Sequence, residues 1–217
     1  MPSGAGPTRN EDGFVKPRRA VARVAPSRCA VLLRGAGPSL ISPPMSLRTI
    51  LIHPDPRLKK VCAPVAEITD DLRELAQDML ETMYDAPGVG LAAPQVGVLK
   101  RVIVMDCNKL PEDEPRPLVM FNPEIVWESA DIVASEEGCL SLPEQFAPVE
   151  RSAEVRVRWR DTEGTTQEET FDGLWSVCVQ HEIDHLDGTL FIDHLGFMKR
   201  QMVTRRLAKL MRERARA

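Results

Sequence analysis

The chain has 217 residues, 43% of them hydrophobic, with a net charge of −4 and five cysteines. This length gives room for one domain with a proper core, and no stretch is long or apolar enough to span a membrane. The acidic balance argues against general nucleic-acid binding. The odd, scattered cysteines (29, 62, 107, 139 and 178) argue against a secreted disulfide framework and for a reducing compartment.

The charge is unevenly spread. Residues 1–44 carry seven basic residues against Glu11 and Asp12, about +5 in sum, which leaves the remainder near −9 by subtraction. This segment is rich in Pro, Gly, Ser, Ala and Arg, has little periodicity, and reads as a disordered extension. Val21 to Leu33 is mildly apolar but is broken by Arg23, Pro26 and Arg28, which makes a poor secretory signal. An Arg-rich organellar transit peptide, a natural extension, and an over-extended reading frame before Met45 remain as readings of it.

From Leu47 to Ile52 a mostly apolar run leads into the turn His53-Pro54-Asp55-Pro56. Thr69 to Asp85 predicts a helix. Leu72, Leu75, Ala76, Met79, Leu80 and Met83 share one face, Thr69 or Asp70 can cap it, and acidic residues fill its first turn. Pro87-Gly88 ends it and opens Gly88-Val89-Gly90-Leu91-Ala92-Ala93-Pro94-Gln95. That stretch lacks the third glycine of G-x-G-x-x-G and no Lys-Ser/Thr pair follows, so alone it reads as a tight turn before a strand.

A buried strand is expected at Arg101 to Cys107, then a polar, proline-rich loop at Lys109 to Arg116. Leu118 to Phe121 and Glu124 to Trp127 read as strands interrupted at Asn122-Pro123. Ile132 to Ala134 leads to Glu137-Gly138-Cys139-Leu140-Ser141. Val155, Val157 and Trp159 alternate with Arg156, Arg158 and Arg160, the period of a half-buried strand. Asp161 to Thr165 turns the chain, and Gln167 to Phe171 pairs back. The chain closes with a basic helix over Phe197 to Ala217, whose stripe is Met198, Met202, Val203, Leu207, Leu210 and Met211; its eight basic residues face one acid, Glu213.

The stretch with most chemistry is Gln180-His181-Glu182-Ile183-Asp184-His185, an H-E-x-x-H. Leu174, Val177, Cys178, His181 and His185 follow helical spacing, from Asp172 or Gly173 to a stop at Gly188. Four residues advance a helix by about 6 Å, so both imidazoles leave one face and can meet one metal ion. Glu182 then stands where a general base must. The bland alternative is a buried helix with two satisfied histidines. A metal also needs a third protein ligand. The only Glu after His185 is Glu213, in the basic tail, and Phe191 stands where an extended H-E-x-x-H-x-x-G-x-x-H motif has its third histidine. Cys139 is the best remaining candidate. A thiolate with two imidazoles leaves one position open for water.

Together, G-x-G-L-A-A-P-Q, E-G-C-L-S and Q-H-E-x-D-H-L-x-G resemble the three motifs of the peptide deformylases, complete and in the family's order. The resemblance runs from about Met45 to the end, which favours Met45 as the start and 45–217 as a single catalytic domain. It implies an α+β fold, with antiparallel strands packed around a central metal-binding helix and a C-terminal helix. It also implies a hydrolase that removes the formyl group from N-formylmethionyl nascent polypeptides and releases formate.

By the same resemblance Cys139, His181 and His185 are the metal ligands, Glu182 is the general acid and base, and Gln95 with the backbone N–H of Leu140 stabilises the oxyanion. The family's usual ion is Fe(II), with Zn, Ni or Co as substitutes. Leu174, Val177 and Cys178, with Val89, can wall an apolar slot for the methionine side chain. Peptide backbone is expected to pair near Gly90 and Gly138 like an added strand. Phe146 departs from some bacterial members, which carry an Arg there. The basic C-terminal helix resembles one that docks on the ribosome in bacterial deformylases. No DNA or membrane partner is expected, and the location is a bacterial cytoplasm, or an organelle if residues 1–44 are a transit peptide. The rivals are a zinc peptidase acting on ordinary peptide bonds and a non-catalytic metal- or peptide-binding protein.

Overall fold

The elements are those of a computed structural model that describes residues 46–108 and 114–216. The extension expected over residues 1–44, and residues 109–113 of the proline-rich loop, lie outside the described residues. Helix α1 (Asp70–Asp85) buries Leu75, Ala76, Met79, Leu80 and Met83, the face that the spacing predicts. Thr69 holds the N-cap position in extended conformation, but its side chain makes no capping hydrogen bond; Asp70 and Asp71 supply the favourable charge at that end.

Seven strands are described: β1 (Gly90–Ala92), β2 (Val102–Met105), β3 (Leu118–Glu128), β4 (Ile132–Cys139), β5 (Leu142–Ser152), β6 (Glu154–Arg160) and β7 (Thr166–Asp172). Five form one antiparallel sheet in the order β1-β2-β3-β6-β7, while β4 and β5 form a separate pair. Helix α2 (Gly173–Leu186) follows β7, and α3 (Phe197–Arg214) closes the chain.

The alternation of β2 explains why its four residues are all buried. Ile103 and Met105 point into a core shared with Cys178, Val179, Ile183 and Leu186 of α2. Val102 and Val104 point the other way, against Met79 and Met83 of α1. The sheet is thus covered by α2 on one face and α1 on the other, so the strand reads as a continuous apolar run. A third core joins Leu142, Ala147 and Val149 of β5 to Leu190, Phe191, Val203 and Leu207.

Four expectations are corrected. Asn122-Pro123 does not interrupt a strand; β3 runs through it as eleven residues with a register shift between Phe121 and Glu124. Asn122 takes φ 53 at this bulge, and its side-chain amide bonds both the N–H and the C=O of Val65 at 2.7 Å. The Gly-rich stretch contains the short strand β1 and is more than a turn. Strand β5 was not expected, because Pro143 and Pro148 break its pattern; among the described residues it pairs with β4 alone, so its other side carries no ladder for a proline to disrupt. The stripe of α3 is only half used. Val203 and Leu207 are buried, but Met198 is 74% exposed and Met202 46%, because the helix meets β5 along a narrow line.

Candidate active site

Both histidines are on α2 and buried, His181 in its middle and His185 in its last turn. Their rings meet edge to face with centroids 4.9 Å apart. Strand β4 ends at Cys139, whose Sγ lies 3.2 Å from His185 Nε2. One donor atom each from Cys139, His181 and His185 falls within 4.8 Å of the others. Among the described residues this is the one group of three or more such side chains so arranged.

The donor set fits a divalent transition ion. Glu137 Oε2 lies 2.8 Å from His181 Nδ1, which leaves Nε2 of that ring to face an ion. A soft thiolate with two imidazoles leaves a fourth tetrahedral position for water. Phe191, at the position of the extended motif's third histidine, is buried and stacks on His181 with centroids 6.3 Å apart. It packs the His181 ring and offers no atom that could bind an ion.

Glu182 is 4% exposed, and its Oε2 is buried with no hydrogen-bond partner among the described residues. Burial pushes its carboxyl up to about 7, His181 opposes that, and Glu137 and Asp184 add to it. Burial works against a charged His181, but Cys139 and Glu137 raise its pKa well above the usual histidine value. Burial, then the charge of His181, holds His185 well below it.

Gly90 explains how a strand passes so close to this carboxylate. A Cβ on Gly90 would stand 2.4 Å from Glu182 Oε1 and 2.8 Å from Cys178 Sγ. Gly138 is constrained similarly, since a Cβ there would meet the ring of its cross-strand partner Phe146 at 2.5 Å. Gln95 is 1% exposed, with Oε1 accepting from the Ala92 N–H at 2.8 Å. Its Nε2 therefore points the other way, 3.5 Å from Cys139 Sγ and 3.2 Å from Ser141 Oγ.

A pocket of about 680 Å³ opens beside these groups. Val89, Gly90, Gly138, Leu174, Val177 and Cys178, the residues expected to bind substrate, all line it. Gln95, Cys139, Leu140, His181 and Glu182 line it as well, while His185 is buried at 1% exposed and does not. Val177 and Cys178 are buried, and Leu174 is 49% exposed at the entrance.

One part of the site was not legible in the sequence. Arg151 Nε lies 2.7 Å from Glu137 Oε1, and its Nη1 lies 2.6 Å from Asp184 Oδ2, which His194 Nε2 approaches at 2.7 Å. Burial would raise the Glu137 carboxyl, but His181 and Arg151 hold it down at about 2. This chain of charges anchors His181 from behind. Glu137 could have been suspected as an acid inside a motif; Arg151 sits in an unpredicted strand and gave no signal.

Comparison with known proteins gives a consistent result. The family model described as polypeptide deformylase matches residues 47–201. A peptide deformylase of Rhodopseudomonas palustris (strain BisB5) is 53% identical over 166 residues, covering 76% of this chain and 95% of the relative. The crystal structure of a peptide deformylase from Legionella pneumophila superimposes with a TM-score of 0.74 at 44% identity, covering 79% of this chain and 99% of that one. A class I type b peptide deformylase from Acinetobacter baumannii, with Met-Ala-Ser bound, gives a TM-score of 0.66 at 37% identity, covering 70% and 99%.

Proposed function

The chain belongs to the peptide deformylase family, and from that premise we propose how its residues divide the work. It is a metal-dependent hydrolase that removes the formyl group from N-formylmethionyl polypeptides. The alternative of a peptidase on ordinary peptide bonds is set aside by that membership. The observation that carries the division of roles is the convergence of Cys139, His181 and His185 within 4.8 Å beside the buried carboxylate of Glu182.

Cys139, His181 and His185 hold the ion. When bound, it supplies Lewis acidity, which makes water a nucleophile near neutral pH and polarises the formyl carbonyl. Glu182 Oε2, with no hydrogen-bond partner among the described residues, takes the proton of the attacking water. Gln95 Nε2 and the Leu140 N–H donate to the developing oxyanion; the Ala92 N–H holds the Gln95 amide in the orientation this needs. Glu182 then delivers its proton to the departing amine. Formate leaves, and the peptide keeps a free N-terminal methionine. The Acinetobacter structure with Met-Ala-Ser supports a product of this kind.

Val177, Cys178 and Leu174, with Val89, wall the slot for the methionine side chain. Among the described residues β4 pairs with β5 alone, and its other edge can take peptide backbone near Gly138, with Gly90 in the same pocket lining. We assign Fe(II) as the working ion, on the family resemblance; Zn, Ni and Co fit the same donors. The catalytic domain is residues 45–217, and residues 1–44 are an extension of it. No helix among the described residues is long and apolar enough to cross a membrane, and the relatives reported above are bacterial; a bacterial cytoplasm is the assigned location. The basic face of α3 is assigned to docking on the ribosome.

The test is formate release from an N-formyl-methionyl peptide by anaerobically prepared, Fe(II)-loaded protein, with Zn-loaded protein beside it. Release several-fold faster with Fe(II) is expected. Equal rates would overturn the choice of ion, and no release from folded, loaded protein would overturn the assigned roles.

A further inference from the structure

The mouth of the pocket has a feature that the reaction does not use. Cys139 faces Leu142 across the β4–β5 ladder, and Gly138 faces Phe146. Pro143, Glu144 and Gln145 therefore leave the ladder between two adjacent pairs, and Glu144 takes φ 60, which side-chain-bearing residues rarely adopt. The bulge carries Glu144 to the pocket rim, where its Oε1 meets Nη2 of Arg214 at 2.6 Å. Arg214 is the last residue of α3, and it lines the pocket with Glu144.

Its position follows from the helix. Val203, Leu207 and Met211 pack against β5, and Arg214 continues the same face by the i+4, i+4, i+3 rhythm. A cation also suits the C-terminal end of the helix dipole. Among the described residues lining the pocket, Arg214 is the one lysine or arginine; it pairs with Glu144 and shares the lining with Glu136. Of the other two acids lining the pocket, Glu137 is paired with Arg151 and His181, and Glu182 is buried beside Cys139, His181 and His185. The Arg214 and Glu144 side chains are 51% and 64% exposed, so their pair is weak and open to exchange. The guanidinium keeps further donors for a second carboxylate.

We propose that Arg214 is a specificity-determining residue, which favours peptides carrying a carboxylate a few positions after the formylmethionine. This rests on the deformylase reading of the pocket. The carboxylate has two possible sources, an acidic side chain or the free C-terminus of a short peptide. Only the first exists on a chain still being made, so it is the one of consequence.

The experiment uses the full, metal-loaded chain and peptides of the form N-formyl-Met-Ala-X-Ala, with X as Glu, Gln or Lys, each as free acid and as C-terminal amide. Within the amides, wild-type kcat/KM is expected to favour Glu over Lys roughly threefold or more, mainly through KM, and less as ionic strength rises. Arg214→Gln should bring the ratio to one or below, since Glu136 and Glu144 then act alone; Arg214→Lys should keep the wild-type direction. Each ratio is taken within one variant, so partial loss of folded enzyme cancels. Discrimination among free acids against amides, but not by X, would move the contact to the terminus and overturn the side-chain preference. The same Glu-to-Lys ratio in wild type and Arg214→Gln would overturn the role of Arg214. No formate from any peptide with wild type would instead sink the underlying assignment.

Discussion

Nδ1 of His181 lies 2.8 Å from Oε2 of Glu137, and Arg151 grips the other oxygen of that carboxylate at 2.7 Å. The proposed metal ligand His181 is thus oriented by a group that is itself oriented. Replacing Glu137 with Gln should keep the fold and weaken metal binding about 10- to 100-fold, as loss of such a partner usually does. Competition against a chelator of known affinity measures this, and unchanged affinity would remove Glu137 from the site.

Glu182 stands beside the ligand cluster without belonging to it. Glu182→Ala should retain the metal and lose about 10²- to 10⁴-fold in kcat. Metal content by elemental analysis and formate release, measured on one preparation, separate the two effects. Near-normal turnover would refute the assigned base.

Gly90 has no room for a methyl group, with Glu182 Oε1 at 2.4 Å and Cys178 Sγ at 2.8 Å from a Cβ built there. Gly90→Ala must push the strand or the carboxylate aside. A displacement of this kind costs on the order of 10²-fold in kcat. Thermal melting should show a smaller change, because β1 is held in the sheet by its ladder to β2. A variant with normal kcat would mean that the Glu182 position is not critical.

Asp78 is 2% exposed on α1 and accepts from the Ser46 N–H at 3.1 Å and from Arg48 Nε at 2.8 Å. Burial raises its pKa, but these donors outweigh it and leave the group below 3.8. The unfolded chain therefore binds this proton more readily. The resulting stability is fully present above about pH 5 and is lost as pH falls through the folded pKa. Asp78→Asn should cost about 1–3 kcal/mol near neutrality and progressively less in acid. A difference in Tm from wild type that does not shrink with falling pH would contradict this.

Removing α3 is a poor test of ribosome docking, since Val203 and Leu207 cover Leu142, Ala147 and Val149. Charge reversal at the exposed Arg205, Arg206 and Lys209 leaves that contact intact. Formate release from a short peptide should stay near wild type. Co-sedimentation with ribosomes should fall several-fold and become less sensitive to salt. Unaltered co-sedimentation would exclude this face as the dock.

The sequence by itself determined the helix that carries His181, Glu182 and His185, and singled out Cys139 as the residue that meets them, because these signals are local. H-E-x-x-H needs only helical geometry, and Cys139 lies in a motif of its own. The face of α1, the burial of β2 and the turn after β6 were also set by short-range periodicity. Only the tertiary structure decided what lies behind and around Cys139, His181 and His185. Arg151, in a strand whose two prolines hid it, meets Glu137 across 14 residues of chain and Asp184 across 33. Arg214 reaches Glu144 across 70 residues through a bulge and a helix end. A spacing pattern records which side chains share a face of one element. Contacts between elements depend on how those faces pack, which no local pattern carries.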